Sequence, residues 1–115
     1  MPATMDRARA GASAAYVNEQ LAGLTPVELL LKVYDVALAS CRRGDRERLS
    51  RALVELISAL DFNHREVAIG LFQMYNFCLT NAKRGRFDLV EPVLTELREA
   101  WTSLAAQQKA EAAGE

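Results

Sequence analysis

Apolar residues recur along this chain at spacings of three and four, and alternation of period two is absent over any useful length. The sequence therefore reads as helices without strands. The pattern divides into four segments. The first runs from about Pro26 to Arg43, with Leu30, Val33, Tyr34, Ala37, Leu38 and Cys41 on one stripe. Leu29, Leu31 and Val36 widen that stripe past the ~100° a single core-facing side needs. Thr25-Pro26-Val27-Glu28 marks its start: Thr25 caps, Pro26 stands where a missing N–H costs nothing, and Glu28 meets the positive helix end. Gly44 then suits a left-handed C-terminal position and Asp45 an N-cap. They open a second helix from about Arg46 to Leu60, with Leu49, Ala52, Leu53, Leu56 and Leu60 on one side and Val54 and Ile57 flanking it.

A turn at Asp61-Phe62-Asn63 leads to the third helix, with Asn63 as its cap and Glu66 three residues on. Between Val67 and Leu79 this helix is apolar nearly all round, which predicts the most buried element of the fold. Gly85 ends it. Asp88 caps a fourth helix, about Leu89 to Ala106, in which Pro92 demands a bent first turn or a start at Glu91-Pro92. Its stripe of Val90, Val93, Leu94, Leu97, Trp101 and Leu104 is narrow and predicts packing alone. Residues after about Ala105 are small and polar and are predicted to fray. Short links predict an all-α, up-down antiparallel four-helix bundle, preceded by a short amphipathic helical segment around Tyr16. One domain at 14–106 lies between flexible tails at 1–13 and 107–115.

The 115 residues are enough for one core. A net charge of −1 argues against a strongly basic nucleic-acid binder and leaves only local patches to consider. No apolar run approaches the ~20 residues that span a bilayer, and the first residues carry no apolar core of a secretory signal, so a cytoplasmic location is expected. Cys41 and Cys78 sit in apolar patterns and read as buried thiols. No CxxC or Cys/His cluster points to a metal. His64 reads as an exposed turn residue without a nucleophile beside it, and Glu55, Glu96 and Glu99 lack the Glu-x-x-His partners of a di-iron bundle. The expectation is a non-enzyme without cofactor or metal.

Two features remain. Arg42, Arg43, Arg46, Arg48 and Arg51 surround the first interhelical turn, interleaved with Asp45, Glu47 and Glu55. They read as a solvated surface with Arg51–Glu55 as an i,i+4 pair, or as a basic rim for an acidic partner segment. Three of the four helices also carry more apolar positions than one small core uses. The surplus reads as tight packing, as the self-interface of a homodimeric or higher helical adaptor or regulator, or as a groove for an amphipathic helix of another protein. In the last case the anchors are Tyr34 and Leu38 from the first helix, Leu56 and Ile57 from the second, and Phe72, Tyr75 and Leu79 from the third.

The order of these features resembles the FliS family of flagellin-specific export chaperones over roughly Ala15 to Trp101. The matching pieces are Tyr16 with Gln20, then Thr25-Pro26-Val27-Glu28-Leu29, Tyr34-Asp35 followed by Ala37-Leu38, and Leu60-Asp61. Phe72 to Tyr75 with Phe77 and Glu96-Leu97-Arg98-Glu99-Ala100-Trp101 complete the series. The chain departs from the family where Asn63-His64-Arg65 replaces a Gly pair and where Lys32 and Val36 replace Met and Gly. Its first and second helices and its third-to-fourth connection are shorter than the family's, which implies a shorter groove and a specialised flagellin or a different export substrate. The resemblance implies a cytoplasmic bundle that holds flagellin's disordered C-terminal segment on an apolar surface, prevents premature polymerisation and serves flagellar type III secretion. It implies the export apparatus or a co-chaperone as further partners, and neither nucleic acid nor membrane insertion. It also implies that Tyr16, Val17, Gln20 and Leu21 form a removable cover on that surface.

Overall fold

The computed structural model describes residues 26–114. They form four helices and, among the described residues, no strand: α1 (Pro26–Arg43), α2 (Arg46–Ser58), α3 (Arg65–Lys83) and α4 (Phe87–Gly114). Thr25 and the Tyr16–Leu21 segment lie outside the described residues.

Glycine sets two of the three links. Gly44 and Gly85 have φ of +66° and +72°, the left-handed region that a side chain strains. In each case the glycine N–H and the next N–H close back on the helix they follow. Gly44 donates to Cys41 and Asp45 to Ser40, while Gly85 donates to Ala82 and Arg86 to Asn81. Asp45 then caps α2, its carboxylate accepting from the Arg48 backbone N–H at 3.1 Å. The link between α2 and α3 has no glycine. Ala59 and Leu60 donate to Glu55 and Ile57, which tightens the last turn and stops α2 at Ser58 rather than Leu60. Asn63 does not cap α3. Its N–H instead donates to the Asp61 carboxylate at 3.0 Å, an Asx turn, and His64 stands at the cap position without a side-chain bond.

Each helix packs against two others, in the ring α1–α2–α3–α4–α1. The core takes residues from all four: Tyr34, Ala37, Leu38 and Cys41; Leu49, Ala52, Leu53 and Leu56; Tyr75, Cys78 and Ala82; Val90 and Leu94. Tyr34 and Tyr75 meet in its middle, ring centroids 6.4 Å apart and hydroxyls 2.5 Å apart. Trp101 of α4 donates its Nε1–H to the Tyr34 oxygen at 3.1 Å. This network ties three helices together, and among the described residues no buried side-chain nitrogen or oxygen lacks a hydrogen-bond partner. Ion pairs line the seam between α1 and α4: Glu28 with Lys109 at 3.1 Å, Asp35 with Arg98 at 2.7 Å and Arg42 with Glu91 at 3.3 Å. All are at least partly exposed, worth about 1 kcal/mol or less apiece.

Two expectations fail. The helix α3 is not the most buried element. Only Ala68, Tyr75, Cys78 and Ala82 are buried along it, while Val67, Ile69, Phe72, Met74 and Phe77 are 39% to 61% exposed. With two neighbours it has no third surface on which to hide an all-round apolar pattern. The C-terminal residues also do not fray: α4 stays helical to Gly114. Alanine, glutamine, lysine and glutamate, which fill this stretch, are strong helix formers, and Lys109 reaches Glu28. The same helix starts at Phe87, so Pro92 falls inside it and the bond it forgoes is to the Asp88 carbonyl in the first turn. Within its stripe Val90 and Leu94 are buried, while Val93, Leu97 and Trp101 are half-buried against the core.

The network gives unequal costs for two similar substitutions. Tyr34→Phe strands both the Trp101 N–H and the Tyr75 hydroxyl and is expected to cost about 2–4 kcal/mol. Tyr75→Phe leaves the Trp101–Tyr34 bond and is expected to cost about 1 kcal/mol. Urea unfolding of both variants checks the order, and equal costs would remove Tyr34 from the centre of the network.

Candidate functional site

The exposed apolar residues of α3 flank its buried line on both sides, and a concavity opens beside each flank. At the end that carries the α2–α3 turn, a cavity of about 260 Å³ is walled by residues of all four helices. Leu30 comes from α1, Leu56 from α2, Val67, Ala68, Leu71 and Tyr75 from α3, and Trp101 from α4, with Asp61 and His64 at the turn. The wall is apolar apart from Asp61 and His64 at the turn and the tyrosine–tryptophan network at its inner side. Three donors, the Trp101 N–H and two phenolic O–H groups, share two hydrogen bonds. One phenolic proton is therefore left for a further acceptor.

Between α2 and α3 lies a more open groove of about 600 Å³. Val54 and Leu79 form its apolar floor, and Arg46, Glu47, Ser50, Arg51, Glu55 and Lys83 surround it. Phe72 stands two turns before Leu79 on the same line of α3, so the apolar surface continues along the helix beyond the charged part.

The predicted anchors separate on this geometry. Phe72 is exposed, Leu79 floors the open groove, and Leu56 and Tyr75 wall the end cavity. Tyr34 and Leu38 are core residues, 0% and 5% exposed, and present nothing to a partner. Ile57 is half-buried and packs against the core. Tyr16, Gln20 and Leu21 lie outside the described residues. The sequence reading missed Trp101, Leu30 and Val67 as cavity walls and Lys83 as a groove residue. Trp101 had been assigned to packing because its stripe is narrow. The helix spacing of Lys83 from Leu79, four residues, was a usable signal for the groove. The expected Arg51–Glu55 pair does not form; the two side chains stand apart on the groove wall.

The two cysteines line neither concavity. Cys41 and Cys78 are free and buried. Burial pushes the Cys41 thiol up to about 11, with the Glu91 carboxylate adding to the shift, and the Cys78 thiol up to about 12, with Cys41 adding. Burial likewise raises both core tyrosines. His64 is exposed, its Nε2 4.0 Å from Asp61. Among the described residues no group of three His, Cys, Asp or Glu side chains could hold a metal ion. No helix among them is long and apolar enough to cross a membrane.

Comparison with protein-family models, with curated proteins and with solved structures found no match to this chain.

The raised thiols make stability depend on pH in one direction. The folded chain holds these protons above the unfolded value of 9.0, so their contribution is complete below pH 9.0. It is lost as pH rises towards about 12. The urea midpoint is expected to be flat near neutral pH and to fall by about pH 10, and Cys41→Ala/Cys78→Ala is expected to make the fall shallower. A midpoint that rises above pH 9.0 would contradict the buried, protonated thiols.

Proposed function

We propose that this chain is a non-enzymatic chaperone of flagellar export. It binds the disordered C-terminal segment of flagellin in the cytoplasm, prevents premature polymerisation and hands the subunit to type III secretion. The observation that carries the reading is the apolar surplus on the outer sides of α3, beside two open concavities. A disordered segment pays for its own ordering on binding, and apolar anchors at helical spacing supply most of the compensating free energy.

The family-like motifs also converge in space. Tyr34, Tyr75 and Trp101 come from three separate pieces of the resemblance and form one hydrogen-bonded network. Asp35 and Arg98, from two of the same pieces, form the shortest ion pair between α1 and α4. The up-down antiparallel arrangement is supported by the α1–α4 pairs, whose numbers rise on one helix as they fall on the other: Glu28 with Lys109, Asp35 with Arg98, Arg42 with Glu91. The resemblance adds Tyr16, Val17, Gln20 and Leu21, which lie outside the described residues, as a cover. Those residues precede Pro26 at the end of α1 whose Leu30 walls the cavity.

A homo-oligomeric adaptor is the competing reading, favoured by the same exposed α3 residues. The two separate by calorimetry against C-terminal flagellin peptides, together with sedimentation of the chain alone. The chaperone is expected to sediment as a monomer and to bind a peptide. A tight dimer that binds none supports the adaptor. Phe72→Asp is the informative substitution, because Phe72 is exposed whereas Ile57 supports the core. It is expected to weaken peptide binding about tenfold or more while leaving the urea midpoint within error. Equal loss of binding and folding would return Phe72 to the core.

A further inference from the structure

Charge is concentrated at one end of the α2–α3 groove. The Arg46 guanidinium crowds the site above Gly85, 2.7 Å from where a Cβ would stand, so the two glycine links lie side by side. They gather cations from the ends of α1, α2 and α3. Among the described residues, Arg43, Arg46, Arg48, Arg51, Lys83 and Arg84 have no carboxylate within 4.0 Å. Arg42 and Arg86, by contrast, are matched by Glu91 and Asp88. Of the residues that line the groove itself, Arg46, Arg51 and Lys83 are cationic and Glu47 and Glu55 acidic, and the nearby Asp45 carboxylate is already engaged by the α2 cap. In a chain whose net charge is −1, this is a local excess, not a general one.

An occupant of this groove passes from the apolar line of Phe72 and Leu79 to the cations at the start of α2 and the end of α3. We propose that the groove takes an acidic amphipathic segment of another protein. Its apolar side lies on Val54, Leu79 and Phe72, and its carboxylates meet Arg46, Arg51 and Lys83. The proposal rests on the reading that this face receives a partner segment, and adds the partner's charge and its direction. A helical occupant gains further if its C-terminal end, which carries partial negative charge, lies at the cations. A nucleic acid fits less well. Glu47 and Glu55 stand in the same wall and oppose a continuous phosphate backbone, whereas spaced carboxylates pass between them.

The test uses the full chain and two synthetic amphipathic peptides with identical leucine positions, one with glutamate and one with glutamine on the polar side. The acidic peptide is expected to bind about tenfold tighter at low salt. The advantage is expected to vanish near 1 M salt, where the Debye length is about 3 Å. Arg51→Glu/Lys83→Glu is expected to reverse the preference, and the milder Arg51→Gln/Lys83→Gln to abolish it. Equal affinity for both peptides would overturn the charge assignment and leave the apolar groove standing. Failure to bind either would overturn both. Displacement of the acidic peptide by an oligothymidylate of equal charge, sensitive to the same double substitution, would reassign the groove to nucleic acid.

Discussion

The shape of this molecule follows from two phenols that meet where no backbones do. The helices α1 and α3 nowhere bring their Cα atoms within 8 Å of each other, yet Tyr34 and Tyr75 span the gap and Trp101 locks the pair from α4. A hydrogen-bonded aromatic pair cannot be compressed as a leucine pair can, because moving the helices inward would break bonds that are costly to lose in a dry core. The diagonal is therefore held open. One turn towards the α2–α3 end, Leu30 and Leu71 occupy the positions four residues before the two tyrosines, and their shorter side chains leave the cavity unfilled. The opening at that end is a consequence of the spacer at the centre.

Much of this was legible in the residues. Gly44, Asp45 and Gly85 mark links by local stereochemistry alone, and the structure places them as the sequence required. The buried stripes of α1 and α2 follow the spacing of their apolar positions nearly residue for residue. The errors share one cause. Periodicity counts the apolar sides of a helix but not the neighbours available to cover them. The all-round apolar pattern of α3 therefore looked buried although Met74 and Phe77 are exposed, and Tyr34 and Leu38 looked like candidates for a partner surface although both are buried in the core. The end of α4 was missed for a different reason. Small polar residues read as a tail, although alanine, glutamine and lysine hold a helix well, and the anchoring pair of Glu28 and Lys109 spans most of the chain.

A chain that leaves Phe62, Val67, Phe72, Met74 and Phe77 exposed needs some defence against copies of itself. The distribution of charge supplies part of one. Two copies laid side by side in the same direction across the α2–α3 face would bring their unmatched arginines and lysines together. Turned end for end, each basic end would meet the other copy's Asp61–Glu66 turn, where the carboxylates of Asp61 and Glu66 are offset in part by Arg65. Neither pairing offers these cations the concentrated negative charge that would match them. A foreign segment with carboxylates placed beside apolar anchors would match them, as the occupant proposed for the α2–α3 groove requires.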